Sequence, residues 1–560
     1  MFQSFRMSMA WLHTWFGLVL GFVLMVVFFF GALSVFDREI DRWATPQTRF
    51  EPQPMPSFDR MLKPIFERIT PHEDELAAAR DRVGGPLPDE TPLMNWSAYT
   101  THRDPVLSLY AEFAVTNNPD DPADHVHGWV TIDPRNGRLL PDDQLKIGSE
   151  FFYPLHYSLH LHWKDLGYWI VALAALAMLA ALVSGVVIHR KLFRELFTFR
   201  PWKIKQRSTL DLHNLTGVVA LPFHFIFAFT GLVIFAGIYL PVGETQLESQ
   251  ALAFYEQEAE AKGLAYMPSG KAAPLASVDA MVSEAKRRWA ARGMPGEVGF
   301  LAVMHVGDAN SYVSIYRAGS DRVALVGQAV HFAGPTGAVI YEEPSPNAVT
   351  SINEFLMGLH LQHFEHWLLR WLYVFGGLAG GVCIATGFIF FVEKRRRQHA
   401  ALGLGGARWV DALAVATVPG MVIAAVSILL ANRLLPEDLP NRAAWEEGAF
   451  WLAWVLTFLH AAWRASIQRD ARSSPAWREQ CWILAILCPA TVLMNWLTTG
   501  DHLLETIGTG YWPVAGLDLA LLVVGVIAGT TALKLRRRAA TSVEATIAEA
   551  AVAGAEVERA

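Results

Sequence analysis

Apolar residues gather in runs of about 20 along this chain, long enough to cross the roughly 30 Å hydrocarbon core of a bilayer. Eight runs stand out, at approximately 12–36, 166–188, 210–239, 367–392, 410–431, 449–464, 480–497 and 513–533, the sixth being short. Two polar, Pro-rich stretches of more than 100 residues follow the first and third runs. There the pattern changes to alternation. "GWVTIDPRNGRLL", "SYVSIYRA" and "VALVGQAVHF" read as strands with Asn-Gly or Thr-Gly turns, and "MVSEAKRRWAARG" reads as a helix. The first run is too long for the core of a cleavable signal, and no small-residue cleavage site follows it. The pattern predicts an all-α polytopic membrane protein that carries two small α+β modules outside the bilayer. The Ala- and Glu-rich tail from 539 reads as frayed or disordered.

The chain repeats itself at an offset of 200 residues. "LHTWFG" places His13 at the start of span one, and "LHNLTG" places His213 at the start of span three. Gly17 and Gly217 follow four residues later, and Gly31 and Gly231 follow 18 later. "SLHL" and "GLHL" place His160 and His360 200 apart, ahead of spans two and four. Trp169 and Trp371 each precede a glycine by 16 residues, Gly185 and Gly387. The turn glycines Gly137 and Gly337 keep the same spacing. The unit of helix, outward module and helix thus occurs twice in parallel, which predicts a four-helix bundle with two outward lobes. Spans five to eight show no clear copy of the unit and read as an appended helical domain.

Charge sets the orientation. The net charge of −7 on 560 residues is uninformative as a total, because Lys and Arg are sorted by loop. "HRKLFRELFTFRPWKIKQR" holds seven of them against one acid, and "EKRRR" and "KLRRR" follow spans four and eight. "TTGDHLLETIGTGYWP" holds none. The positive-inside rule then puts both termini in the cytoplasm and the large loops outside. No nucleic-acid partner is expected. Cys383, Cys481 and Cys488 fall inside spans, so no disulfide staples the outward modules. The absence of Cys-x-x-Cys-His excludes a covalent c-type haem.

This topology gives the histidines depth. His13 and His213 lie at the cytoplasmic ends of spans one and three, His160 and His360 at the outward ends of spans two and four. Facing imidazoles from two helices can supply both axial ligands of a b-type haem, and glycines let a flat macrocycle or a neighbouring helix approach. Two haems follow from the two pairs. His224, near mid-membrane, either ligates, lines an electron path or bonds a propionate. His156, one turn before His160, is its alternative as ligand. His162, His363 and His366 crowd the outward side and suit an iron or chelate site. His125 and His127 read as solvated, and His460 and His502 have no visible partners. Span three reads as one helix of about 45 Å at 1.5 Å per residue. The first four spans show neither paired acids nor interrupted helices.

The segments "WLHTWFGLVLGF", "GALSVFDREIDRW", "PLHYSLHLHW", "SGVVIHRKLFRELFTFRP", "DLHNLTGVVALPFHFIFAFTGL" and "GLHLQHFEHWLLRWLYV" resemble the PepSY-associated transmembrane helix family over about residues 8–400. The resemblance implies PepSY-like outward modules and haem ligands at His13, His160, His213 and His360, with His224 in the "LPFH" motif of longer members. It implies the iron-regulated inner-membrane type, which includes ferric-siderophore reductases. The chain is then divided as span one (1–36), first module with its lead-in (37–165), span two (166–188), basic loop (189–209), span three (210–239), second module with its lead-in (240–366), span four (367–392), four-span domain (393–538) and tail (539–560). No Gly-rich nucleotide-binding turn follows span four, so electrons are expected from a separate cytoplasmic reductase or from quinol. The expected acceptor is a ferric siderophore or another periplasmic oxidant, which would make the protein a haem-dependent ferric-chelate reductase embedded in membrane lipid. The alternatives are a membrane-anchored PepSY binding or regulatory protein and a transporter of haem or iron chelate.

Overall fold

The computed structural model describes residues 4–83, 87, 91–100, 104–115, 124–141, 146–189, 198–201, 204–239, 257–325, 327–468 and 474–559, with side chains to 538. Residues 190–197 and 202–203 of the basic loop expected at 189–209, and the start of the second module at 240–256, lie outside the described residues. The chain divides into two compact units. One comprises residues 1–46, 143–229 and 371–560, the other residues 47–142 and 230–370.

The first unit is helical. Among the described residues, five helices are long and apolar enough to cross a membrane: Trp163–Ile188, Trp367–Ala401, Gly406–Leu434, Ala476–Thr499 and Trp512–Arg538. Two bent pairs raise the count to seven, Phe5–Val19 with Gly21–Ser34 and Lys205–Val219 with Leu221–Ile234. Eight spans were expected. The sixth forms a helix of 26 residues, Arg442–Ile467, but its tryptophans, His460 and charged ends dilute its apolar character, and it is not among the candidates. The final helix runs to Arg559, so the tail expected to fray is helical, as its Ala and Glu content favours.

The bends correct the expectation of uninterrupted helices. Spans one and three each turn by 62°, at Leu20 and Ala220, 200 residues apart. In span three the cause is Pro222, which has no N–H to give to the preceding turn and disfavours helix at the residue before it. In span one Gly21 stands at the bend. A Cβ there would lie 3.0 Å from the Phe388 ring, so the close approach of span four depends on the missing side chain.

The four C-terminal helices share one apolar core with the C-terminal half of span one. Phe30, Phe151, Phe152 and Phe450 are fully buried together. A buried polar network ties the same elements. The Trp43 indole donates to Asp518 Oδ1 at 2.8 Å, Asn495 donates to Asp518 Oδ2 at 3.4 Å, and Arg433 donates to the carbonyls of Trp43 and Ala44. Cys481 and Cys488 are buried on one face of Ala476–Thr499, as the packing role requires.

The second unit holds one antiparallel sheet where two separate modules were expected. Its strands are β1 (Leu93–Tyr99), β2 (Leu107–Ala114), β3 (His125–Ile132), β4 (Val298–Met304), β5 (Tyr312–Arg317), β6 (Ala329–Ala333) and β7 (Val339–Glu342). Their order is β3-β2-β1-β4-β5-β6-β7. The halves join edge to edge at β1 and β4, with Trp96 opposite Val303 and Tyr99 opposite Phe300. Pairing two edges satisfies backbone groups that either module alone would leave open. The turn glycines are as expected, with φ of +72° at Gly137 and +70° at Gly337. A reciprocal cap reinforces the joint. Asp279 accepts from Ser57 and from the Phe58 N–H at 2.7 Å, while Asp59 accepts from the Ser277 hydroxyl at 2.6 Å and the Val278 N–H at 3.1 Å.

Candidate cofactor-ligand site

His13 and His213 each lie seven residues before a helix bend. Their rings stand edge to face, with centroids 6.0 Å apart and planes at 85°. His13 Nδ1 is 3.0 Å from the Ala181 carbonyl oxygen and 3.3 Å from Ser184 Oγ. His213 Nδ1 is 2.7 Å from the Cys383 carbonyl oxygen and 3.5 Å from Cys383 Sγ. A backbone carbonyl only accepts, so the proton sits on Nδ1 and the lone pair on Nε2. Each ring lies against a glycine four residues beyond that carbonyl. A Cβ on Gly185 would be 3.4 Å from His13 Cε1, and one on Gly387 would be 3.4 Å from His213 Cε1. Those two glycines came out of the repeat, but their pairing with His13 and His213 did not.

The same relation recurs at the other end of the spans. His156 Nδ1 is 2.8 Å from the Val27 carbonyl, four residues before Gly31, whose Cβ would lie 2.6 Å from that nitrogen. In the second unit, His360 Nδ1 is 2.8 Å from Thr230 Oγ1, and a Cβ on the adjacent Gly231 would be 3.0 Å from His360 Cε1. His160 sits differently. It has φ +54°, its ring stacks on Phe151 at 4.8 Å, and its Nε2 is 2.9 Å from the Phe151 carbonyl. Of the two histidines before span two, His156 is therefore the one in the glycine cradle. The 200-residue spacing had pointed to its neighbour.

His224 is fully buried four residues past the bend of span three. Its Nε2 is 3.3 Å from the Gly376 carbonyl, and Phe28 meets its ring edge-on at 5.4 Å. Phe223 and Phe227 pack on Tyr373, whereas Phe225 and Phe229 stack on each other and are exposed. The His162 ring is 6.1 Å from that of His160, and His366 is exposed. Three other expectations change. His125 is not simply solvated, because its Nδ1 pairs with Glu112 at 2.8 Å. His460 pairs with Glu479 at 3.0 Å, and His502 caps the Glu505 N–H at 3.1 Å.

The model of the PepSY-associated TM region covers residues 10–394. The chain belongs to this family. The PepSY-associated chain is also 25% identical over 392 residues to an uncharacterized protein of Pseudomonas aeruginosa, a match that spans 67% of this chain and 91% of that protein. The C-terminal helices lie beyond the family match.

In this PepSY-associated protein His13 and His213 face each other across helices. Among the described residues, no group of three or more His, Cys, Asp or Glu is arranged to hold a bare metal ion. Paired imidazoles suit an ion whose remaining ligands come with a macrocycle. With metal–nitrogen bonds of about 2 Å, two imidazoles on one ion have ring centres roughly 6 Å apart. The 6.0 Å between His13 and His213 fits that requirement.

Proposed function

We propose that this protein is a di-haem b electron-transfer protein of the bacterial inner membrane, which passes electrons outward to a ferric siderophore or another periplasmic ferric acceptor. The observation that carries the reading is the His13–His213 pair, held at ligand spacing with both Nδ1 protons fixed on carbonyls. A b-type haem with two axial imidazoles exchanges single electrons and leaves no coordination position open to oxygen chemistry. The chain's own part is to fix ring orientation, keep Nε2 available and exclude water from the helix interior. In this reading the four spans of the repeat form the ligand bundle. The outward haem is proposed from the repeat, with His360 on one side and His160 or His156 on the other. His224, with Phe28 beside it, lines the interior between the two levels. Both termini are cytoplasmic, and a separate reductase or quinol supplies electrons.

Optical spectroscopy of the purified protein, with haem stoichiometry, is the deciding experiment. The expected result is two low-spin b-type haems that are reoxidised by an added ferric siderophore. Folded protein from haem-replete cells without haem would sink the reading. Haem that quinone oxidises and ferric chelates leave reduced would sink the acceptor.

The matched bends at Leu20 and Ala220 favour a second reading. Interrupted helices at equivalent positions of two halves are the mark of carriers with a site at the interruption. Uptake of haem or iron chelate into vesicles without any reductant would select this reading over electron transfer.

A further inference from the structure

Each half of the repeat carries one buried hydroxyl beside its cytoplasmic-side histidine that the ligand assignment leaves unused. The segment "ALVSG" from Ala181 to Gly185 meets His13, and "CIATG" from Cys383 to Gly387 meets His213, at an offset of 202. In both, the first residue's carbonyl holds the imidazole Nδ1–H, and the glycine faces the ring. The residue before the glycine is Ser184 in one and Thr386 in the other. Each hydroxyl shares its one proton between two carbonyls: Ser184 Oγ is 2.7 Å from that of Ala180 and 3.1 Å from that of Ala181, and Thr386 Oγ1 is 2.7 Å from that of Val382 and 2.9 Å from that of Cys383. Helical Ser and Thr commonly return their hydroxyl to a carbonyl three or four residues back. Here the carbonyl three back is the one that already holds a histidine. Both side chains are buried, so water does not replace these contacts.

We infer that Ser184 and Thr386 are positioning residues that set how strongly each carbonyl binds its histidine Nδ1–H, and so how electron-rich Nε2 is toward an iron. The inference rests on the haem reading above. A hydroxyl that donates to the carbonyl competes with Nδ1–H for the same oxygen. Its removal strengthens the remaining Nδ1–H···O bond and raises the basicity of the ligand. A more basic imidazole favours the ferric state, and the potential falls. Thr386 is the cleaner probe, because Ser184 Oγ also stands 3.3 Å from His13 Nδ1 itself.

The test is a potentiometric titration of purified full-length protein, read by optical and EPR spectra, for wild type, Thr386→Val, Thr386→Ser and Ser184→Ala. In Thr386→Val, haem stoichiometry stays at the wild-type value, one midpoint potential shifts downward and the g values of that haem move. Thr386→Ser restores both. Full haem content with unmoved potentials and g values in Thr386→Val overturns the inference, as does a Thr386→Ser protein that behaves like the valine variant. If Thr386→Val does not fold or loses haem, a shift of one haem in Ser184→Ala decides in favour, and its absence decides against. Folded wild-type protein without haem overturns the haem reading and this inference together, whereas haem-replete variants with unmoved potentials overturn the inference alone.

Discussion

The Nδ1 nitrogen of His213 stands 2.7 Å from the carbonyl oxygen of Cys383, four residues before the glycine that faces the same ring. His13 and Ala181 repeat the relation at 3.0 Å with Gly185. Each imidazole is therefore gripped by the helix across from its own, through a bond that side-chain substitution on that helix leaves in place. In both rings Nδ1 is taken by a carbonyl, which leaves Nε2 with its lone pair. If this pair holds one haem, His13→Ala and His213→Ala should each lower haem content by about half and remove the same spectral component. Haem quantitation together with redox difference spectra checks this. Loss of different components in the two variants would break the pairing.

At the other end of span two, His156 rather than His160 occupies a glycine cradle. On the di-haem reading, His156→Ala should remove the second haem, and His160→Ala should retain it. Gly31→Ala should act like His156→Ala, because its Cβ would fall 2.6 Å from His156 Nδ1 and push the ring off the Val27 carbonyl. Full haem content in Gly31→Ala with loss in His160→Ala would reverse the assignment.

The bond between the Trp43 indole and Asp518 joins the end of span one to the last helix, with both residues almost wholly buried. Asp518→Ala removes that bond and the one from Asn495. Polar contacts between membrane helices contribute about 1–2 kcal/mol each in model systems. The variant should unfold at a lower temperature in detergent while its haem spectrum at low temperature stays unchanged. An unchanged unfolding temperature would show that the apolar core alone secures these helices.

In the unit that carries the sheet, Asp308 offers a pH readout. Burial works against its ionised form, but N–H groups of Asn310, Ser269 and Gly270 and the Ser269 hydroxyl hold its pKa down to about 2. An unfolded aspartate titrates near 3.9, so between roughly pH 4 and pH 2 the native state binds fewer protons than the unfolded state. The stabilisation is fully present above about pH 4 and is lost as pH falls toward 2. Asp308→Asn should flatten the pH dependence of unfolding in that window, measured by circular dichroism or limited proteolysis of the sheet-bearing unit. A slope equal to wild type would remove Asp308 from the acid transition.

Apolar runs, Lys and Arg placement and the 200-residue offset are properties of local composition, and they determined much by themselves. From them came a polytopic membrane protein of the PepSY-associated family, the strands and helix of the two polar stretches, and the turn glycines Gly137 and Gly337. They also singled out Gly31, Gly185, Gly231 and Gly387 without assigning them a ring. Tertiary structure decided the rest, because each remaining question depends on what lies across a gap in sequence. His156 and His160 are one turn apart and equally apolar in setting, and only the position of Gly31 and the Val27 carbonyl distinguishes them. Pro222 marks the bend of span three in the sequence, but the matching bend at Leu20 has no proline and depends on Phe388 packing against Gly21. Two strand patterns cannot reveal that β1 and β4 share an edge, since the register is set by pairing between residues some 200 positions apart. The hydroxyls of Ser184 and Thr386 carry no signal as isolated residues in an apolar helix. They gain one only when folding brings a histidine to the carbonyl that each already touches.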